Sequence, residues 1–333
     1  SILDKSRLYG EMANERLNTY FDSREIDAIT LVASKDVQQG LEALNTFNAS
    51  KEEVETIEAD FKGLLEIPVM SYGITDIFIT NKYGEVIYSL NYNKLDLAPL
   101  VVSQDFMGNA MAGQQNWSTL FRNSFLNDNI LVLSTPIQPY TNQDTSPIGT
   151  LNMVINQETL NGLVHQGITS LAANGDAYII NGEGLLMTDT MLPLYVEEAA
   201  LVETLETDVV QLLGPAIRMG DLAFNTTETY TSYSGEEVLG TMFVTQVGDM
   251  PVGMVTEVET SEVFGVVSDL KSTLTMISGA VLALSLLIAS IISLSISQPI
   301  ERIMRSINKI SNFDLSSYNE RGMDYHRKDE IGD

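Results

Sequence analysis

The longest apolar pattern in the chain is a stretch of 23 residues without a charged side chain, residues 274–296. At 1.5 Å of rise per residue, a helix of this length spans the hydrocarbon core of a bilayer, which is ~30 Å thick. Helices buried in soluble proteins seldom continue past about 20 residues without a polar face. The pattern therefore predicts a transmembrane helix over residues 274–296.

The charged residues on either side of this stretch predict its orientation. Arg302, Arg305 and Lys309 follow it closely, whereas Lys271 is the only basic residue in the 20 positions before it. Because basic residues favour the cytoplasmic side, we expect residues 1–273 to be extracytoplasmic and residues 297–333 to be cytoplasmic, at the plasma membrane. The exterior part must be led across the membrane, so we also expect a first transmembrane helix before Ser1, which makes the protein multi-pass.

The N-terminal region has a helical pattern of apolar residues. They recur at spacings of three and four residues, and the positions are Ile26, Ile29, Ala33, Val37, Leu41 and Leu44. This spacing predicts a long helix with these side chains on one buried face. Residues 261–271 predict a second helix that leads into the membrane span, and a pair of stalk helices at the membrane suits a mechanical transmitter.

One block of sequence occurs twice. Residues 76–87 align without gaps with residues 176–187, and Asp, an aromatic residue, Ile, Asn and Gly recur in register. A second pair of blocks, 147–151 and 251–255, recurs at nearly the same offset. Each copy predicts a strand, a turn containing glycine, a strand and a later hairpin.

The later strands of the two copies can be placed from their alternation and turn residues. We expect them at residues 129–137 and 148–155 in the first copy, and at 237–247 and 252–259 in the second. Segments 99–113 and 193–213 lie between the early and late strands, and the second contains residues that favour helices. Strands interrupted in this way predict an α+β fold with two antiparallel sheets in series.

The amino-acid composition excludes several classes of function. The chain has 333 residues with 45 acidic and 18 basic side chains, a net charge of -27, and 44% hydrophobic residues. Such a chain can bury a core, but it repels phosphate backbones, so we expect no nucleic-acid partner. With no cysteine and two histidines, the sequence offers no catalytic constellation and no metal site, and we expect neither a cofactor nor enzyme activity.

These features together resemble the double Cache domain of bacterial transmembrane receptors. The more specific similarities are the run with Asp105, Phe106, Ala110 and Gly113, the strand 132–137, and segments 175–190 and 233–264. The resemblance covers nearly the whole exterior part and implies a long N-terminal helix followed by two PAS-like antiparallel sheets in tandem. The division it implies is a stalk helix and linker at 1–64, a membrane-distal lobe at 65–160, a membrane-proximal lobe at 161–260, a stalk helix at 261–273, the span at 274–296 and an incomplete linker at 297–333.

Residues 297–333 resemble the beginning of a HAMP linker. Pro299 opens a segment whose apolar residues share one helix face, namely Ile300, Ile303, Met304, Ile307 and Ile310, and residues 329–332 begin a second element. The resemblance implies that Pro299 and Glu330 couple the signal between the membrane span and the linker helices. A HAMP linker is a parallel four-helix bundle, and one chain supplies two of its helices, so the resemblance also implies a homodimer.

The connector in residues 313–330 resembles that of methyl-accepting chemotaxis proteins. We therefore expect the sensing and transmembrane signalling part of a chemotaxis receptor, with membrane lipid, a small-molecule ligand, and the downstream chemotaxis kinase and adaptor as partners. The alternative is the sensor of a histidine kinase or a nucleotide cyclase, whose exterior part would look the same. A tethered extracellular hydrolase is a third alternative, but the sequence has no recognisable catalytic site for it.

Four residues are candidates for ligand binding in the distal lobe: Trp117, Arg122, Asp128 and Tyr140. Arg122 is one of few cations there and suits an anionic ligand, while Trp117 or Tyr140 suits the floor of a pocket. The alternative is that Trp117 packs beneath a loop and Arg122 pairs with a surface carboxylate. Double Cache receptors for amino acids carry an Arg-x-Trp-Tyr run and a later Asp, and strand 150–154 has no acid, which argues against an amino-acid ligand.

Overall fold

A computed structural model describes residues 2–46, 49–103, 106–141 and 146–311. The chain divides into two compact units, residues 1–265 and residues 266–333. The helices are α1 (Ile2–Val32), α2 (Lys35–Leu44), α3 (Lys51–Tyr72), α4 (Lys94–Ser103), α5 (Phe106–Met111), α6 (Gln157–His165), α7 (Ile168–Leu171), α8 (Asp208–Met219), α9 (Thr260–Ile292) and α10 (Gln298–Ser311). The strands are β1 (Asp76–Asn81), β2 (Val86–Ser89), β3 (Asn116–Trp117), β4 (Phe121–Asn123), β5 (Asp128–Ile137), β6 (Gly149–Asn156), β7 (Asp176–Ile180), β8 (Asn225–Thr231), β9 (Glu237–Val247) and β10 (Met250–Glu259).

The strands form two antiparallel sheets. The first has the order β2-β1-β6-β5-β3, with β4 also paired to β5, and the second has the order β7-β10-β9-β8. We call these sheets, with the helices and loops that cover them, the first lobe and the second lobe. The predicted α+β fold with an N-terminal helix and two antiparallel sheets in series is confirmed, and the four later strands lie within about two residues of their predicted ends.

The repeated block forms the same hairpin turn in both lobes. The Asn81 side-chain oxygen accepts hydrogen bonds from the backbone N–H groups two and four residues later, at 2.9 and 3.0 Å. Asn181 does the same, at 2.9 Å in both cases. Gly84 and Gly184 have φ values of 81° and 90°, in the left-handed region that glycine adopts without a steric penalty. The repeat therefore encodes a strand and the turn that ends it.

Helix α1 packs against one face of each sheet and joins them through one core. Its buried apolar face is Tyr9, Ala13, Leu17, Phe21, Ala28 and Leu31. Ile77, Leu133 and Met153 of the first sheet belong to this core, together with Ile179 and Met254 of the second. The face that α1 turns towards the sheets thus contains aromatic and small residues at helical spacing.

The predicted buried face of the N-terminal helix is wrong in its first half. Ile26 and Ile29 are 64% and 52% exposed, whereas Val37 and Leu41 are buried as predicted. The reason is a break in the helix, because α1 ends at Val32 and α2 begins at Lys35. The apolar spacing continues across the break, but the two helices turn different faces to the core.

Segment 193–213, which contains residues that favour helices, is helical only over its last six residues. The chain has no helix or strand from residue 181 to residue 207, all of which the structure describes, and α8 begins at Asp208. This irregular segment packs over the second lobe with Ala199 and Leu205 buried.

The described part of the second unit, residues 266–311, is helical. Helix α9 continues through a π-helical turn, Ser293–Ser297, into α10. Among the described residues, the one helix long and apolar enough to cross a membrane is Leu270–Arg305. Pro299 directly follows the π-helical turn within this continuous helix, where a proline cannot donate the backbone hydrogen bond of a helix interior. Glu330 and the second HAMP element lie outside the described residues.

Candidate ligand-binding site

The first lobe has a cluster of fully buried polar side chains on the sheet face opposite α1. Its members are Thr80, Ser134, Thr150 and Asn152. Successive side chains of a strand alternate between the two faces, so apolar neighbours of these residues enter the α1 core while the four polar side chains enter the opposite layer. The register aligns Thr80 with Thr150 and Ser134 with Asn152 across adjacent strands.

The four side chains satisfy one another through hydrogen bonds. The Thr80 and Thr150 hydroxyl oxygens are 2.7 Å apart, and the Ser134 hydroxyl donates to Asn152 Oδ1 at 2.6 Å. Asn152 Nδ2 donates to the Thr150 hydroxyl at 2.9 Å. The sulfur of Met107, in α5, lies 3.6 Å from the Ser134 hydroxyl. Since all these groups are neutral, the cluster suits an uncharged polar group of a ligand better than an ion.

A small apolar layer surrounds this polar cluster. It is separate from the core around α1, and its buried members are Phe78, Leu97, Met107, Ile130, Val132 and Val154. Leu97 belongs to α4 and Met107 to α5, so these two helices cover the face that carries the cluster. A thin apolar cover over convergent polar groups is the arrangement found in small-molecule sites.

Asp76 and Asp176 are a second pair of equivalent residues from the repeat. Asp76 is fully buried and accepts hydrogen bonds from the Ser89 hydroxyl at 2.6 Å and the Asn91 N–H at 2.8 Å. Burial raises the pKa of the Asp76 carboxyl, although these hydrogen bonds oppose the shift. Asp176 accepts from the Tyr233 hydroxyl and the Met191 N–H, and burial raises its pKa as well. Asp76 thereby connects β1 to the segment that follows the first hairpin, and Asp176 connects β7 to the segment that follows the equivalent hairpin.

The structure places Trp117 in the junction between the two lobes. It is 4% exposed, and its indole N–H donates to Glu25 Oε1 of α1 at 2.9 Å. Its backbone N–H donates to Asp249 Oδ2, in the turn between β9 and β10, at 2.8 Å. The ring packs edge-on against Phe21, with centroids 4.9 Å apart. Trp117 therefore connects the first lobe to α1 and to the second lobe.

The other three candidate residues do not form one site with Trp117. Arg122 and Asp128 lie in the β4–β5 hairpin, and Arg122 lines a cavity of about 330 Å³ at the junction of the lobes. Tyr140 is 43% exposed and lies beyond the other end of β5, where its ring faces the Lys35 ammonium at 5.9 Å. A ten-residue strand separates Asp128 from Tyr140, a length of ~30 Å.

The second lobe contains a fully buried glutamate. Oε1 of Glu257 accepts hydrogen bonds from the Tyr178 hydroxyl at 2.5 Å and the Tyr230 hydroxyl at 2.6 Å. Its Oε2 has no hydrogen-bond partner. Burial raises the pKa of Glu257 to about 7, and the nearby Asp176 adds to the shift, while the two tyrosines oppose it. Glu257 lies in β10, the strand that continues directly into α9.

Several of these residues were missed by the sequence reasoning. Thr80, Ser134, Thr150 and Asn152 are not among the candidate residues predicted from the sequence. Each lies in a strand that contains other polar residues as well, so the sequence pattern does not single it out. The same is true of Glu257, which has Thr256 and Glu259 beside it in β10.

Two solved domains have a fold similar to that of this chain. The extracellular domain of vpHK1S-Z8, a protein described as a histidine kinase, matches with a TM-score of 0.53 and 13% identity, over 78% of this chain and 93% of that one. A domain of a protein described as a sensory box/GGDEF family member from Vibrio parahaemolyticus matches with a TM-score of 0.52 and 12% identity, over 78% and 98%. This chain shares the fold of these two domains, the double Cache fold, over 78% of its length.

A further structural neighbour was solved with a bound ligand. It is the ligand-binding domain of the amino acid chemoreceptor PctB of Pseudomonas aeruginosa PAO1, solved with L-Arg, with a TM-score of 0.49 and 12% identity, over 81% of this chain and 92% of that one. No family model and no curated protein matches the sequence. At these identities the similarity establishes the double Cache fold, and the function has to be argued from the residues of this chain.

Proposed function

We propose that this chain is the ligand-sensing and transmembrane signalling part of a bacterial methyl-accepting chemotaxis receptor, and that the ligand binds in the first lobe beneath α4 and α5. The observation that carries the proposal is the buried cluster of Thr80, Ser134, Thr150 and Asn152 on a double Cache fold. A few convergent polar groups within an apolar layer are typical of small-molecule sites. In this proposal the chain senses and transmits, and carries out no catalysis itself.

The chemistry of the cluster supports an uncharged ligand group at this position. Asn152 offers both a donor and an acceptor, and the three hydroxyl groups do the same. A ligand amide, hydroxyl or heterocyclic nitrogen can exchange hydrogen bonds with them, whereas a buried ion would lack a counter-ion among these four residues. Met107 adapts to the ligand because its thioether is flexible.

Membrane insertion and dimerisation complete the proposal. Residues 1–273 are extracytoplasmic, with the first lobe distal and the second lobe proximal to the membrane, and the span lies within α9 and the π-helical turn. Two exposed apolar surfaces support a homodimer: Leu8, Met12, Ile26 and Ile29 on α1, and Ile300, Ile303, Met304 and Ile307 on α10. A second copy of each helix would cover these side chains, as a HAMP bundle requires.

The cytoplasmic linker transmits the signal in this proposal. Pro299, directly after the π-helical turn, and Glu330, which lies outside the described residues, are the positions proposed to couple the membrane span to the linker. The downstream chemotaxis kinase and adaptor bind the cytoplasmic part that follows, and a multi-pass arrangement comes from a preceding span. Replacing Pro299 is then expected to alter signalling while ligand affinity stays unchanged.

A kinase or cyclase output is the second candidate function. It is favoured by the two neighbours with TM-scores above 0.5, which are described as a histidine kinase and a sensory box/GGDEF family protein. The exterior part would work in the same way, because ligand binding shifts a two-state dimer whichever output is attached. The sequence of the cytoplasmic part discriminates between the two: a long helical hairpin favours chemotaxis, and a nucleotide-binding domain favours the alternative.

The binding proposal is tested by thermal unfolding of the whole chain in lipid nanodiscs. Purines, sugars, amides and alcohols are screened, because a compound that binds the native state raises the unfolding midpoint. The shift produced by the best compound is expected to disappear in Asn152→Ala and Thr150→Val. Thr256→Val removes an equally buried hydroxyl in the second lobe and is the matched control, expected to keep the shift. A shift that survives both first-lobe variants would place the ligand elsewhere.

A further inference from the structure

The cavity of about 330 Å³ at the junction of the lobes is formed by residues that are far apart in sequence. Arg122 and Asn129 come from the β4–β5 hairpin of the first lobe, and the irregular segment of the second lobe supplies the rest of its lining: Glu198, Ala200, Leu201 and Val202. Both lobes belong to the compact unit of residues 1–265. A volume of this size is at the lower end of small-molecule sites.

The cavity has an unpaired charge of each sign. Nη2 of Arg122 donates to Asn127 Oδ1 at 2.7 Å, and within the described part of the chain Arg122 forms no ion pair. A guanidinium group has five N–H donors, so most of them are available. The side chain of Glu198 has no hydrogen bond or ion pair in the same described ranges. Arg122 has no ion pair in this described part although residues 1–271, with a net charge of -26, offer many carboxylates.

Asn129 provides a buried acceptor in the wall of this cavity. It is 7% exposed, and its Nδ2 donates to the Ala200 carbonyl oxygen of the other lobe at 3.1 Å. Its Oδ1 has no hydrogen-bond partner. A buried acceptor without a donor destabilises the fold unless a bound group supplies the missing hydrogen bond.

The backbone around the cavity is strained. In the described chain the non-glycine residues with positive φ are Asn127, Glu198 and Leu201, at 53°, 55° and 62°. Glu198 and Leu201 line the cavity, and Asn127 holds the Arg122 guanidinium. Strained conformations of this kind concentrate at ligand sites, where the surrounding structure holds them in place.

We propose that this junction cavity is a second ligand site, specific for a small zwitterion that carries a carboxylate and an ammonium group, such as an α-amino acid. Arg122 binds the carboxylate with paired N–H donors. Glu198 and Asn129 Oδ1 accept hydrogen bonds from the ammonium group, and Leu201 and Val202 contact the ligand side chain. The missing acid in strand 150–154 argues only against amino-acid binding in the first lobe, so it does not bear on this site.

A ligand at this position would bridge the lobes, because Arg122 belongs to the first lobe and Glu198 to the irregular segment that packs over the second lobe. The irregular segment that carries Glu198 also contributes Ala199 and Leu205 to the core of the second lobe. Binding therefore favours the arrangement of the lobes in which Arg122 and Glu198 lie on either side of the ligand. This site is independent of the cluster beneath α4 and α5.

The test uses the whole chain in lipid nanodiscs. The twenty proteinogenic amino acids are screened by thermal unfolding at about 10 mM, and the strongest binder is titrated calorimetrically beside its deaminated acid and its decarboxylated amine. We expect the amino acid to bind at least about tenfold more tightly than either analogue, since each analogue lacks one of the two charges. Failure of all twenty to raise the midpoint, or equal binding of an analogue, would overturn the proposal.

Variants locate the site. Arg122→Ala and Glu198→Gln are each expected to weaken amino-acid binding by about tenfold or more, and their exposed side chains predict unchanged unfolding midpoints without ligand. Arg7→Ala and Glu183→Gln are matched controls at exposed positions outside the cavity and are expected to bind normally. Binding that is lost in Asn152→Ala but kept in the Arg122 and Glu198 variants would assign the amino acid to the first lobe and reject the junction site.

Discussion

At the residue scale, Glu257 is a carboxyl group buried almost completely within the second lobe. It is 1% exposed, two tyrosine hydroxyls donate to one of its oxygens, and no described cation neutralises it. Because burial raises its pKa from the ordinary value of 4.5 to about 7, the folded protein binds a proton here more tightly than the unfolded chain does. The proton therefore stabilises the second lobe.

The sign of the pH dependence follows from this difference. Below about pH 4.5, Glu257 is protonated in both the folded and the unfolded state, and its stabilising effect is complete. As the pH rises to about 7 that effect is lost, which lowers the free energy of unfolding by on the order of 3 kcal/mol. Glu257→Gln stays neutral, so its free energy of unfolding should fall less than that of the wild type between pH 4.5 and 7. Denaturant unfolding at several pH values measures this. Parallel profiles for the two proteins would contradict the prediction, and Glu259→Gln, half-buried in the same strand, is the control.

At the scale of elements, Trp117 in β3 holds three parts of the fold together. Its indole N–H bonds to α1 and its backbone N–H bonds to the β9–β10 turn. Gly248 in that turn is so close to Trp117 that a Cβ atom at Gly248 would lie 2.6 Å from the Trp117 side chain. The junction thus depends on a short strand that has only two residues.

The contribution of this junction is measurable. Trp117→Phe keeps an aromatic ring but removes the hydrogen bond to the Glu25 carboxylate, and we expect a loss of about 1–2 kcal/mol in the free energy of unfolding. Ligand affinity should remain unchanged, since Trp117 lies outside both proposed sites. Tyr140→Phe, at an exposed position, is the control and should unfold like the wild type. Reduced affinity with unchanged stability would instead make Trp117 a ligand residue.

The elements also differ in how well their sequences predict them. Strands β5, β6, β9 and β10 were placed closely because alternation and turn residues are local signals. The break between α1 and α2 was missed, since apolar spacing continues across it. The irregular segment before α8 contains residues that favour helices, but packing over the second lobe overrides that weak preference.

At the scale of the whole molecule, the exposed apolar residues of α1 predict a dimer. The chain has no cysteine, so one introduced thiol reports on one position. We expect Ile26→Cys to give a disulfide-linked dimer in membranes under mild oxidation, because a parallel pair of α1 helices brings the two copies of residue 26 together. Glu183→Cys, at an exposed turn of the second lobe, is the control and should remain uncross-linked. Equal cross-linking of the two variants, or none with Ile26→Cys, would contradict a dimer through α1.

Features that depend on neighbouring residues can be predicted from the amino-acid sequence. The charge-free helix, the paired turns at Asn81 and Asn181, and the succession of strands follow from local spacing and turn chemistry. Which side chains meet depends on tertiary packing, which exposes Ile26, buries Trp117 between the lobes, and gathers Arg122, Asn129 and Glu198 around one cavity. The physical reason is that α1 packs across both sheets and brings the lobes together, so a site between them depends on residues about 70 positions apart, which no local pattern connects.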